Sequence, residues 1–105
     1  MSRVRASHIL LMYKGSARST ATRSKDEALT GIQDLQKQLT EGGDFAALAR
    51  AHSDCPSGAS GGDLGFFGRG QMVPEFEQAA FSMQPGDVSG VIETAFGYHL
   101  VTRTA

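Results

Sequence analysis

Polar and apolar residues alternate from Arg3 to Met12, which places Val4, Ala6, His8, Leu10 and Met12 on one face of a strand and Ile9 and Leu11 on the other. A strand apolar on both faces belongs in the interior of a sheet. Tyr13 to Arg23 reads as a polar loop rich in Ser, Thr and Gly. Ser24 with Glu27 three residues on forms a capping-box pattern, and Leu29, Ile32, Leu35 and Leu39 follow at helical spacing, which predicts a helix over residues 25–40. Glu41-Gly42-Gly43 ends it, and Asp44 is placed to cap a shorter helix through Phe45, Leu48 and Ala49.

The stretch from Ser53 to Gly70 is glycine-rich and reads as a long loop, with Leu64-Gly65-Phe66-Phe67 as the one piece able to pair as a strand. Pro74 suits the first position of a third helix through Phe76, Ala79, Ala80 and Phe81, because the amide it lacks would have no partner there. Gln84-Pro85-Gly86-Asp87 is a turn. Val88 to Thr94 and Tyr98 to Arg103 are expected to form a hairpin around Ala95-Phe96-Gly97. The order predicts an α+β domain with a largely antiparallel sheet and helices packed around it.

Composition narrows the function. The 105 residues are 40% hydrophobic, the size of a single domain over residues 1–105 with one core. Ten basic and eleven acidic residues are dispersed, for a net charge of −1, which argues against a nucleic-acid surface. Apolar runs are short and the amino terminus leads straight into a strand pattern, so neither a membrane span nor a signal peptide is expected and the chain is read as cytoplasmic. One cysteine cannot form an internal disulfide, in keeping with a reducing compartment.

The candidate chemistry lies in His8, His99 and the sole cysteine, Cys55. The two histidines sit in strands at opposite ends of the chain. If those strands pair in mid-sheet, the imidazoles meet, and imidazole is the side chain whose proton moves most readily near neutral pH. Two His and one Cys at these spacings match no compact zinc set, so no metal is expected. His52 reads as a helix-end residue. Histidines on an apolar strand face are also common as ordinary core residues, as are Leu64, Met72 and Phe76.

Ser7-His8-Ile9-Leu10, Asp44-Phe45 with Leu48-Ala49, Ser53-Asp54-Cys55, Gly62-Asp63-Leu64-Gly65, Phe67-Gly68-Arg69-Gly70-Gln71-Met72, Phe76-Glu77, Ala80-Phe81, Gly86, Ser89 and Phe96-Gly97-Tyr98-His99 occur in that order. Together they resemble the parvulin family of peptidyl-prolyl cis/trans isomerases over nearly the whole chain. Cysteine at position 55, where many parvulins carry aspartate, is similar to the Pin-type branch that acts on phosphopeptides. No residues of the chain remain for the WW domain of eukaryotic members. The resemblance implies a parvulin-like, FKBP-like superfold with a four-stranded sheet in the order βαααβαββ. It further implies a monomer that takes proline-containing peptides and proteins, with no cofactor, nucleic acid or membrane. His8 and His99 would be the paired central histidines, with Cys55 at their side and Thr94 near His99. Leu64, Met72 and Phe76 would form the proline pocket, with Phe67 beside it. Pin-type members also carry one Lys and two Arg in the first loop to hold a phosphate. This loop is shorter, Met12 and Ala17 stand where the Lys and the first Arg are found, Arg18 matches the second Arg, and Lys14 and Arg23 are near enough to substitute. Phospho-Ser/Thr or an acidic residue before proline is therefore the expected preference.

Rotation about an Xaa-Pro amide requires loss of resonance, at roughly 18–20 kcal/mol, with no bond made or cut. A catalyst has only to hold the twisted amide better than the planar forms, each ~1.4 kcal/mol of difference giving tenfold in rate. A group at position 55 that weakens the double-bond character of the amide fits both cysteine and the aspartate of relatives. Covalent attack by Cys55 fits only the former. On this reading the histidine pair positions Cys55. The alternative function is a proline-peptide-binding chaperone module that uses the same groove without turnover.

Overall fold

A computed structural model describes residues 3–105. Strand β1 (Arg3–Leu11) is followed by α1 (Lys25–Thr40), α2 (Phe45–His52), a 3-10 turn (Pro56–Ser60), β2 (Asp63–Gly68), α3 (Pro74–Ser82), β3 (Ile92–Thr94) and β4 (Gly97–Arg103). The 3-10 turn, which the glycine-rich pattern concealed, is the third helical element ahead of β2. The four strands form one antiparallel sheet in the order β2-β1-β4-β3, so the doubly apolar β1 is central, as its pattern predicts.

Local signals account for α1 at both ends. Ser24 Oγ accepts the Glu27 amide at 3.1 Å while the Glu27 carboxylate accepts the Ser24 amide at 2.8 Å, a closed capping box worth ~1 kcal/mol. At the other end the Gly42 and Gly43 amides donate back to the carbonyls of Leu39 and Gln38, with Gly42 at φ +97°, a conformation that glycine takes without strain. Asp44 occupies the N-cap position of α2, but its side chain makes no capping hydrogen bond there.

The two faces of the sheet are covered separately. Ile9, Leu11, Tyr98 and Leu100 pack with Ala28, Ile32 and Leu35 of α1 and Ala49 of α2. Val4, Ala6 and Val101 pack on the opposite face with Phe67 of β2 and Phe76 and Ala80 of α3. Burial of such side chains contributes about 1.5–3 kcal/mol each.

The strand expected over residues 88–94 is shorter. Its ladder to β4 runs Ile92↔His99, Glu93↔Tyr98 and Thr94↔Gly97, whereas Val88 makes an isolated bridge to Thr102, one residue out of register. Ser89 bridges the slip: its amide donates to the Val101 carbonyl at 2.7 Å, and its hydroxyl accepts the Val101 amide at 3.0 Å. A side-chain oxygen thus satisfies a group that a backbone carbonyl would take in an unbroken ladder.

Candidate active site

The register of β1 on β4 builds the centre of the site. Leu10 lies opposite His99 and His8 opposite Val101, so the two histidines are diagonal neighbours on the α3 face. Their Nδ1 atoms are 3.2 Å apart, the rings stack with centroids 5.4 Å apart, and Phe76 of α3 meets both edge-on. His99 Nε2 is 2.7 Å from Thr94 Oγ1, which also accepts the Phe96 amide at 3.2 Å.

Both rings are neutral near pH 7. Burial lowers His8 to about 4, and burial together with the neighbouring His8 lowers His99 to about 4. The proton positions follow from counting partners. If Thr94 donates to His99 Nε2 and His99 Nδ1 donates to His8 Nδ1, one buried group, His8 Nε2, lacks a partner. The reverse direction orphans the Thr94 hydroxyl proton as well, so the first arrangement is favoured.

The chain approaching Cys55 is fastened to the C-terminal end of β1. Ser53 Oγ accepts the amides of Leu10 and Cys55, the Asp54 amide donates to the Leu10 carbonyl at 2.7 Å, and the Asp54 carboxylate accepts the Met12 amide at 2.9 Å. Just before β2, the Gly62 carbonyl takes the His8 amide at 2.9 Å. Gly62 has φ +85°, and a Cβ there would stand 2.3 Å from the His8 carbonyl oxygen, so only glycine fits. These bonds place Cys55 in a cavity of about 880 Å³ shared with His8, His99, Leu64, Met72 and Phe76.

The structure brings some of the residues assigned from the sequence into one space and sets others apart from it. Leu64, Met72 and Phe76 line the cavity together, and Thr94 reaches His99 from behind. Phe67 does not line it; at 2% exposure it lies in the core behind Phe76 and Phe81, with ring centroids 5.8 and 6.1 Å away. Cys55 is hydrogen-bonded to neither histidine: its sulfur accepts the Ser57 hydroxyl at 3.2 Å, so backbone bonds to β1, and not the imidazoles, position it. Of the three basic residues assigned to the first loop, Arg18 and Arg23 line the cavity and Lys14 does not. Arg23 is already committed, since its guanidinium pairs with Asp54 and donates to the Met12 carbonyl at 2.9 Å. Arg18 makes no ion pair among the described residues and sits at φ +57°. Asp54, Phe96 and Val73 also line the cavity without having been singled out. The Ser-Asp-Cys run contained Asp54, but nothing local shows that its carboxylate faces the same space as Arg18. Among the described residues no cluster of three or more His, Cys, Asp and Glu side chains is arranged to hold a metal ion.

The family model for the rotamase PPIC-type PPIase domain matches residues 8–105. The chain belongs to this family, the parvulins. The parvulin is 43% identical over 108 residues to the peptidyl-prolyl cis-trans isomerase ssp-1 of Neurospora crassa, a match covering 96% of the chain and 59% of that protein. It is 39% identical over 113 residues to the isomerase Pin1 of Digitalis lanata, covering 97% of the chain and 96% of the relative. Its fold superposes on the isomerase ESS1 from Candida albicans with a TM-score of 0.91 at 39% identity, over 98% of the chain and 63% of that structure. The chain thus spans about three-fifths of the Neurospora and Candida proteins and nearly all of the Digitalis one. These relatives make it a Pin-type parvulin, and the antiparallel sheet order is the family's.

Proposed function

We propose that this parvulin accelerates cis/trans interconversion of Xaa-Pro bonds by non-covalent stabilisation of the twisted amide, with preference for an acidic or phosphorylated residue before proline. The observation that carries this reading is one cavity that joins an apolar slot, Leu64, Met72 and Phe76, to Arg18, a cation with no ion-pair partner among the described residues, with Cys55 and the histidine pair in the same space. The slot suits a pyrrolidine ring, Phe76 being flat and Met72 adaptable. Arg18 offers a guanidinium to a carboxylate or phosphate. A polarisable sulfur near the amide, itself accepting a hydrogen bond from Ser57, weakens the resonance that holds the bond planar. The neutral Thr94–His99–His8 chain adds no charge of its own beside the apolar slot and fixes the floor on which the proline rests. No proton needs to move during rotation.

Exchange NMR on matched tetrapeptides carrying Ala-Pro, Glu-Pro and phospho-Ser-Pro tests the reading. Catalysed exchange, fastest for the charged peptides, is the expected result. Binding of the peptides without faster exchange would instead favour a chaperone module, and equal rates for all three would remove Arg18 from specificity.

A further inference from the structure

The charged groups lining the cavity are Arg18, Arg23 and Asp54. Asp54 is an awkward residue to find there. Its side chain is 28% exposed, it adjoins Cys55, and an anionic substrate would meet its carboxylate as a like charge. Asp54 is nonetheless required structurally, because it accepts the Met12 amide at the end of β1. Arg23 lies against that same carboxylate and, through the Met12 carbonyl, against the same strand end. Its charge cancels that of Asp54 and leaves Arg18 as the uncompensated charge among the described lining residues.

We infer that Arg23 sets substrate charge preference without touching the substrate anion, by masking Asp54. This rests on the cavity being the site for Xaa-Pro peptides. Arg23 is a positioning and masking residue, whereas Arg18 is the group that meets the anion. With Arg23 neutralised, Asp54 offsets Arg18 and the cavity loses its net positive charge. With Asp54 also neutralised, the net charge returns.

A charge cycle separates masking from direct contact. Arg23→Gln keeps a donor for the Met12 carbonyl, and Asp54→Asn keeps an oxygen to accept the Met12 amide, so each variant changes charge with little change in shape. The readout is the ratio of dissociation constants for Ala-Pro and Glu-Pro tetrapeptides, from chemical-shift titration, alongside their exchange rates. Arg23→Gln is expected to lower the relative affinity for Glu-Pro about fivefold, the scale of one unscreened charge several ångströms away. Asp54→Asn should raise it, and the double variant should return it to the wild-type ratio. Equal ratios in Arg23→Gln and the double variant would make Arg23 a direct ligand and overturn the proposal, as would a ratio that Arg23→Gln leaves unchanged. If Arg23→Gln does not fold, Asp54→Asn alone decides, since masking requires its ratio to rise and a ratio at or below wild type overturns it. Peptides that bind and follow this pattern without faster exchange would sink the isomerase reading and leave the masking intact. Failure of any peptide to bind would overturn both.

Discussion

Acidification from pH 7.5 to pH 5 should weaken this fold through its two central histidines. In the unfolded chain an imidazole titrates near 6.5, whereas burial holds His8 and His99 at about 4 in the folded protein. Between those values the unfolded chain binds more protons than the folded one, so stability is complete above about pH 6.5 and is lost as pH falls towards 4. At pH 5 an unfolded imidazole is almost wholly protonated and the folded ring almost wholly neutral, a cost of about 2 kcal/mol for one ring. A second ring adds a similar amount, because a proton on each would set two N–H groups against each other across the 3.2 Å Nδ1 contact. With a urea dependence of about 1–3 kcal/mol per molar, the unfolding midpoint should fall by at least about 1 M between the two pH values. The stabilisation from the lowered Asp63, bonded to Arg5, and the lowered Glu27, bonded to Ser24, is present across this window and is lost chiefly as pH falls below their ordinary values of 3.8 and 4.5. Urea melts at both pH values, with ring nitrogen shifts followed by NMR in the folded state, make the test. Equal midpoints, or either ring titrating above 6 in the folded protein, would refute the argument.

Substitutions at three positions probe the supports of the site. Gly62→Ala should destabilise the protein by about 3 kcal/mol in urea melts and displace His8, because φ +85° and the His8 carbonyl 2.3 Å from the new Cβ leave no place for a methyl group. Thr94→Val should cost about 1–3 kcal/mol by leaving buried His99 Nε2 without its partner, and should shift the tautomer balance of both rings in nitrogen NMR spectra. Cys55→Asp should retain exchange activity within about tenfold, ~1.4 kcal/mol of differential binding, while Cys55→Gly loses far more; equal loss in both, with a trapped thioester in the wild type, would establish covalent chemistry.

The sequence by itself determined the elements whose causes are local. The capping box at Ser24 and the glycines after Glu41 fix α1 at both ends, and Pro74 starts α3. The doubly apolar pattern of β1 required a central strand, and the ordered motifs named the family and three of the pocket residues. What only the tertiary structure decided depends on register and on which side chains share a space. His8 and His99 lie 91 residues apart, and their contact follows from a strand alignment set by many small packing terms together. Phe67 reads like a pocket residue, yet the alternation of β2 turns it into the core behind Phe76. The 88–94 run reads as one strand from Val88, Val91, Ile92 and Thr94, but the one-residue slip at Ser89 breaks its ladder. Arg23 looks like one more cation of a phosphate loop until the fold sets Asp54, 31 residues away, against it. Hydrogen bonds between neighbours in sequence leave a pattern in the residues, whereas a charge pair closed by folding depends on the path of all the chain between its partners.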